Sequence, residues 1–372
     1  MKRIPGLFAA VLLLELAAAA VLLNALIRIA PKPPKPAAPA IIAPPPGPAR
    51  PSAALILCYH AVTRKPVSPY EVSVRDFTAQ MDWLAGHGYK VVALSTLVGY
   101  LAAKQTLPDS LVAITFDDGY ESVYANAWPI LKQRSFPFSI FIYPGFIGKG
   151  RGSLSWKQVR ELAAAGVEVG SHSMTHPVLT RKDGRSEKAY RQWLTRELEG
   201  SKDTIESRIG MPVRYLAYPY AAFDRSVEDA AKAAGYESCL LVNAGVNDTA
   251  TSPFHVDRVI VSRHFTLPLF KAIFEKRSLE LAEVKPYQGE EVIASRNLDI
   301  SARIRRLAEF DRVSIAMKVS RSRGTAVIDT VTGLARFMLD KPLKKGFHEA
   351  ALYARNKCGQ RCVGCWMFLV RE

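Results

Sequence analysis

Beyond residue 52 the chain alternates short, β-branched apolar runs with stretches of helical period. The runs are ALILCYH up to His60, KVVAL (90–94), LVAITFDD (111–118), FSIFIYP (138–144), VEVGSHS (167–173), YLAYPY (215–220), SCLLV (238–242) and RVIVS (258–262). They have the length and composition of strands buried on both faces, and most are followed by an amphipathic stretch able to cross back over a sheet. The punctuation agrees. Ser155 reads as the N-cap of a helix closing near Gly166, and Asp224 as the N-cap of one closing near Gly235. Such alternation predicts parallel strands in a (β/α) barrel, with an open doubly wound sheet as the structural alternative.

After about residue 285 the pattern changes. RVSIAMKV, TAVIDT, ARFMLD, HEAALYAR and CWMFLV succeed one another with turns at Arg323-Gly324 and Lys345-Gly346 and no long helical stretch. This predicts a small all-β sandwich over 285–372, preceded by a short helix or irregular connector from Leu298 to Phe310. At the other end, Lys2 and Arg3 precede an apolar run from Leu7 to Ile27, long enough as a helix to match a hydrocarbon core of about 30 Å. Residues 1–30 therefore read as an inner-membrane, single-pass anchor with the remainder in the periplasm, or as a signal segment whose cleavage would secrete it. Residues 31–52 are a Pro-rich linker, with ten prolines between Pro31 and Pro51. The catalytic domain is expected over 53–275.

Charge sharpens this division. The 372 residues carry 50 Lys and Arg against 34 Asp and Glu, a formal +16. By segment, residues 1–51 hold +5, residues 52–270 only +3 and residues 271–372 hold +8. A nearly neutral centre argues against nucleic acid as a partner. The basic cluster Arg303, Arg305, Arg306, Arg312, Lys318, Arg321 and Arg323 suggests an anionic surface for the C-terminal domain, with a solvated basic face as the plain alternative.

Candidate chemistry gathers at strand ends, where a parallel barrel collects its active-site loops. The first strand ends in His60, the third in Asp117-Asp118, the fifth in His172 with His176 four residues on, and the sixth in Pro219-Tyr220. Two imidazoles and a carboxylate make a facial set for a divalent ion, and a second, adjacent carboxylate is free to act as a base. Capping carboxylates and ordinary loop histidines would account for either half alone, but not for both at consistent strand ends.

These residues carry a resemblance. TFDDGY (115–120) and SHSMTHP (171–177) resemble the first two motifs of the polysaccharide deacetylase (NodB-homology) family, and YLAYPYAAFD (215–224) resembles its third. Within it, LILCYHAV followed by SPYEVSVRDFTAQMDWLAGHGYKVV resembles the branch that deacetylates poly-β-1,6-N-acetylglucosamine, an exopolysaccharide. The resemblance implies a distorted (β/α) barrel and metal-dependent N-deacetylation of an N-acetylglucosamine polysaccharide. The metal would be Zn²⁺, with Co, Ni or Fe as alternatives, held by Asp118, His172 and His176. Asp117 would take the proton of the attacking water, the Tyr220 backbone N–H would stabilise the oxyanion, and His60 would protonate the leaving amine. The third motif departs from the family pattern. The arginine that orients the base is replaced by Ala217, leaving Arg258 or Arg214 as substitutes with Arg258 favoured, and Ala221 stands where glycine is usual. A peptidoglycan or chitin-type deacetylase, or a non-catalytic polysaccharide-binding scaffold, are the alternative functions.

Cys58 and Cys239 fall in core strands and read as buried free thiols. Cys358, Cys362 and Cys365 read best as containing a hairpin disulfide from Cys358 to Cys362 or Cys365. The segment from Thr325 to Val370 loosely resembles bacterial Ig-like modules with a Trp-containing last strand.

Overall fold

The computed structural model describes residues 54–371 apart from Asp109, Arg151, Ala244, Gly245 and Arg321. The expected anchor (1–30), the Pro-rich linker (31–52) and Arg321 of the basic cluster lie outside the described residues. Among the described residues no helix is long and apolar enough to cross a membrane. This corrects the expected inner-membrane, single-pass location. The longest described helix, Glu187–Ile209, has 23 residues but carries charged side chains on every turn.

The first ten strands are β1 (Leu55–Tyr59), β2 (Ala61–Thr63), β3 (Glu71–Ser73), β4 (Lys90–Val91), β5 (Leu111–Phe116), β6 (Ser139–Ile142), β7 (Glu168–Ser171), β8 (Tyr215–Ala217), β9 (Ser238–Leu240) and β10 (Val259–Ile260). Eight of them make one parallel sheet in the order β10-β1-β5-β6-β7-β8-β9, with β4 also on β5. β2 and β3 form a separate parallel pair. The helices are α1 (Val74–Gly86), α2 (Leu94–Ala102), α3 (Trp128–Gln133), α4 (Trp156–Ala164), α5 (Glu187–Ile209), α6 (Arg225–Ala233) and α7 (Leu267–Ile273). Both expected N-caps are present: Ser155 accepts from the Gln158 N–H within a full capping box, and Asp224 accepts from Val227 N–H.

Period-2 alternation divides the strand residues between two cores. Leu57, Tyr59, Ile114, Phe116, Ile140 and Ile142 pack with helix residues such as Phe77, Met81, Leu162 and Leu198. Ile56, Ala113, Phe141, Ala217 and Leu240 pack on the opposite face with Leu94, Leu97 and Leu101 of α2. The sheet closes on itself through a single extended segment. Val256 bridges Leu240 of β9 in parallel, and Val259 and Ile260 register with Leu57 and Cys58 of β1. Residue 258 sits between these two pairings.

The remaining strands are β11 (Arg277–Ser278), β12 (Leu281–Lys285), β13 (Glu291–Ile293), β14 (Ser301–Ile304), β15 (Phe310–Val319), β16 (Gly324–Ile328), β17 (Leu334–Leu339), β18 (Gly346–Asn356) and β19 (Arg361–Arg371). They form one sheet ordered β11-β19-β18-β15, with β13 also on β19, and another ordered β12-β14-β17-β16. A second hydrophobic cluster lies between them, with Trp366, Phe368, Phe337, Leu352 and Ala302 fully or almost fully buried.

Several expectations change here. The immunoglobulin-like detail is not confirmed, since β11 and β13 pair with β19 in parallel, unlike the two antiparallel sheets of that architecture. The expected helix or connector at 298–310 contains strand β14, where Ala302 and Ile304 are buried in the core, between irregular residues. Only Leu307–Glu309 is a helical turn. The hairpin disulfide is not formed: Cys358 is exposed in the turn while Cys362 points into the core, and both remain free thiols, as do Cys58 and Cys239. The basic cluster is also less positive than its composition. Arg303 pairs with Glu283, Arg305 with Glu280, and Arg306 with Glu280 and Glu309.

Candidate active site

The C-terminal ends of β1, β5, β7 and β8 converge, and the backbone turns sharply just after β5, β7 and β8. Asp117 still belongs to the sheet, its N–H donating to Tyr59 O at 2.9 Å, but Asp118 and Gly119 then adopt φ of 73° and 88°. A side chain at Gly119 would lie 2.6 Å from Ile147 Cδ1, so both the conformation and the space call for glycine. Ser173, His176, Tyr220 and Ala221 also have positive φ. This concentration of left-handed, non-glycine residues marks where the fold holds backbone strain, as functional sites commonly do.

Asp117 is the most heavily engaged group. Arg258 grips it with both arms, Nη1 to Oδ1 at 2.6 Å and Nη2 to Oδ2 at 2.7 Å. Arg258 is itself buried, and its Nε donates to Leu241 O while Nη1 also reaches Thr115 Oγ1. The Cys58 thiol donates to Asp117 Oδ2 at 3.4 Å. Of the four lone-pair positions a carboxylate offers, three are taken and one remains. Burial alone would raise the carboxyl's pKa. The Arg258 charge, the nearby His172 and the guanidinium hydrogen bonds together outweigh that burial and hold Asp117 well below the usual carboxylate range.

Asp118 has the opposite setting. Burial first, then the neighbouring Asp117 charge, push it up to about 7 despite a hydrogen bond from Tyr120. Its Oδ1 lies 3.7 Å from His172 Nε2 and 3.4 Å from His176 Nε2, and the two imidazole nitrogens are 3.1 Å apart. His172 Nδ1 lies 2.7 Å from Ala217 O, which fixes the proton on that nitrogen and leaves Nε2 as a bare lone pair. Burial lowers His172 to about 3, so it stays neutral. One ligand atom from each of Asp118, His172 and His176 lies within 4.8 Å of the others. A half-buried carboxylate and two imidazole nitrogens close together are a donor set that fits a divalent cation.

His60, directly after β1, lies with Asp117 and Cys58 in a second close group. Its Nδ1 is buried without a protein partner, and burial lowers its pKa. The Tyr220 ring packs on His176 with centroids 4.6 Å apart. Thus the structure brings Asp117, Asp118, His172, His176, His60, Arg258 and Tyr220 together. Arg214, the other arginine weighed from the sequence, is half-exposed and faces Glu237.

Sequence reasoning missed Glu197, Cys58 and Tyr120. Glu197 is buried on α5, where its carboxylate accepts from the N–H groups of Met174 and Thr175 and from Thr175 Oγ1, all within 3.1 Å. It pins the turn that carries His176. The signal was present, because Glu197 lies on the same helical stripe as the buried Tyr190, Leu194, Leu198 and Ser201.

A sequence profile of the polysaccharide deacetylase family matches residues 104–239. The solved structure of IcaB from Ammonifex degensii is 30% identical, covering 60% of this chain and 97% of that one with a TM-score of 0.53. The chain belongs to the polysaccharide deacetylase family. Members are metal-dependent hydrolases of N-acetyl amide bonds, and the Asp118, His172 and His176 set is where this deacetylase could hold its ion. A poly-β-1,6-N-acetyl-D-glucosamine N-deacetylase of Staphylococcus aureus is 25% identical over 232 residues, 57% of this chain and 79% of that enzyme. A de-N-acetylase from Aggregatibacter actinomycetemcomitans shares the fold, with a TM-score of 0.54 at 23% identity over 59% of this chain and 99% of that one. The likeness thus covers the parallel sheet and its helices, where the family's β/α fold is followed here by the β-rich region.

Three outcomes follow for the deacetylase. Replacing Arg258 by Met leaves Asp117 buried without its counter-charge and should lower stability by about 3–5 kcal/mol. Adding Asp117→Asn should recover a large part, as urea unfolding of the two variants would reveal. Because Asp118 is protonated below about pH 7 in the metal-free protein, an arriving ion must displace that proton. Divalent-ion affinity should therefore fall by about tenfold per pH unit below that point and level off above it, as measured by chelator competition. Glu197→Ala should weaken metal affinity by about 10- to 100-fold, read as metal content after dialysis against graded chelator.

Proposed function

We propose that this deacetylase hydrolyses the N-acetyl groups of an N-acetylglucosamine polysaccharide, releasing acetate, and that β-1,6-linked poly-N-acetylglucosamine is its substrate. The observation that carries this reading is Asp117, held ionised by Arg258, directly beside the Asp118, His172 and His176 set. The similarity to the S. aureus enzyme named for that polymer supports the linkage. The division into a catalytic domain over 53–275 and a β-domain over 285–372 belongs to the same reading. An anionic surface as partner of the β-domain's basic face belongs to it too, although Arg303, Arg305 and Arg306 also face glutamates.

Asp118, His172 and His176 would hold the ion, with Zn²⁺ as the first choice and Co, Ni or Fe as alternatives. When bound, the ion supplies Lewis acidity, which polarises a carbonyl and makes water easier to deprotonate. Asp117 accepts the proton of the attacking water at its remaining lone-pair position. The Tyr220 backbone N–H donates to the oxygen that becomes negative. Asp117 binds protons weakly, so it suits a carrier in transit, and His60 lies close enough to receive that proton and deliver it to the departing amine. The C–N bond breaks, acetate leaves, and a free glucosamine unit remains in the chain.

The deciding assay is acetate release from β-1,6-linked, β-1,4-linked and peptidoglycan-derived N-acetylglucosamine oligomers by metal-replete protein. Release should be greatest on the β-1,6 series, and none on any series would overturn the assignment. Asp117→Asn should lower turnover by at least about a thousandfold while retaining the bound metal. Loss of metal together with activity would contradict the separation of base from ligands.

A further inference from the structure

A cleft of about 240 Å³ lies where the segment between β9 and β10 meets β11, β12 and β19 of the β-rich region. None of its lining residues belongs to the reactive set at the strand ends. In a chain with a formal charge of +16, its wall carries three carboxylates, Asp248, Asp257 and Glu280, and no Lys or Arg. Its histidine, His255, is turned to Glu228, with Nε2 2.7 Å from that carboxylate. Glu280 faces Arg305 and Arg306, which leaves the unmatched charge on the two aspartates.

The described partners of both aspartates are neutral donors. Asp248 accepts from the Ala250 N–H and the Ser278 hydroxyl, and Asp257 from Asn243 Nδ2 at 2.6 Å. Burial, with Glu349 and Asp248 adding to it against the Asn243 hydrogen bond, pushes Asp257 up to about 7. Asp257 is thus the reverse of Asp117: Arg258 follows it directly in sequence, but the guanidinium is committed to Asp117.

A second observation, of opposite polarity, comes from Trp366 on β19. It is 2% exposed and lines the same cleft, and its indole Nε1–H is buried with no hydrogen-bond partner. A buried donor without an acceptor is costly. The cleft therefore lacks both a cation for its carboxylates and an acceptor for its indole. One class of ligand supplies both. A hexosamine carries an ammonium group, which makes charge-assisted hydrogen bonds to a carboxylate, and hydroxyl oxygens, which accept from an indole N–H. An N-acetylated sugar lacks the cation, and a metal ion or polyamine lacks the acceptor. The volume is below the roughly 300 Å³ at which sites for drug-sized ligands begin, so it suits a single sugar unit.

We infer that this cleft binds glucosamine units of the deacetylated polymer, with Asp257 and Asp248 taking the ammonium group and the Trp366 indole donating to a hydroxyl oxygen. The inference rests on the proposed deacetylation and extends it. The enzyme recognises its own product at a second site, so a chain that is already partly deacetylated is held in preference to an untouched one.

The test is calorimetric titration of the metal-loaded, full-length protein at neutral pH with a β-1,6-linked glucosamine tetramer and with its fully N-acetylated counterpart. Asp257→Asn mimics the uncharged carboxyl and removes the counter-charge. It should weaken binding of the glucosamine tetramer by about tenfold and leave the acetylated tetramer unaffected. Trp366→Phe keeps an aromatic ring without the N–H and should weaken the same binding by about three- to tenfold. Asp248→Asn, with the loss expected of Asp257→Asn, replaces either variant if it does not fold. Equal affinity in the variants and the wild type, or no binding of the glucosamine tetramer, overturns the site. Spermidine is the charge control: if it displaces the tetramer at equal or lower concentration, the cleft responds to charge alone and the amino-sugar assignment is overturned. The two readings fail separately. If the wild type releases no acetate from acetylated oligomers yet binds the glucosamine tetramer through Asp257 and Trp366, the deacetylation is lost and the site upheld. Acetate release with binding that the variants do not change overturns the site alone.

Discussion

An ionised carboxylate is tolerated inside a protein only when a positive charge and enough hydrogen-bond donors lie against it. Asp117 meets that condition through Arg258, a residue 141 positions later in the chain. The contact requires the whole parallel sheet between them. Arg258 stands where the segment 256–260 passes from β9 to β1, so the strand that closes the sheet is also the one that brings in the counter-charge. Closing the barrel and arming the site are one event. Asp118 takes part of its character from this arrangement, because the charge that Arg258 stabilises on Asp117 adds to burial in raising Asp118.

This explains how the chain tolerates an altered third motif. With alanine at 217, no arginine is available from the end of β8. The backbone carbonyl of Ala217 has a different task, orienting His172. The arginine instead arrives from the sheet's seam, with its guanidinium over the Phe141 ring at 5.2 Å. Phe141 needs room for that, and β7 provides it: a side chain at Gly170 would lie 2.4 Å from the Phe141 ring. Ala221, standing where glycine is usual, adopts φ 53° all the same, so the turn geometry is kept at some local strain.

The parallel sheet and the ligand set were legible because both depend on local signals. A run of apolar residues ending in Asp117-Asp118-Gly119, or in His172 with His176 four residues on, announces a strand end wherever it occurs. The choice between Arg214 and Arg258 could only be weighted, since each directly precedes a strand, β8 and β10, and only the fold shows that Arg258 alone is buried. Glu197 was hidden by its neighbours, as a charged residue in a highly charged helix looks solvent-facing until the stripe of Leu194, Leu198 and Ser201 is traced around it. Beyond the barrel, β11 to β14 escaped notice because their partners are distant in sequence. Two- to five-residue segments carry too little periodicity to be read alone.

The place of β19 in its sheet has a further meaning for how the β-region comes into being. It is the last of the described strands, and it borders β18, β11 and β13; β18 also pairs with β15, but β11 and β13 find their hydrogen-bond partner only once β19 is present. Its pairings with β11 and β13 close loops of roughly 80 residues, a costly entropic step that short-range contacts cannot prepay. The β18–β19 pairing, closed by a short turn, is the most local contact β19 makes. Of the earlier strands, β11 and β13 must therefore wait for β19, whereas β12 and β14 pair with each other and with β17 in the other sheet.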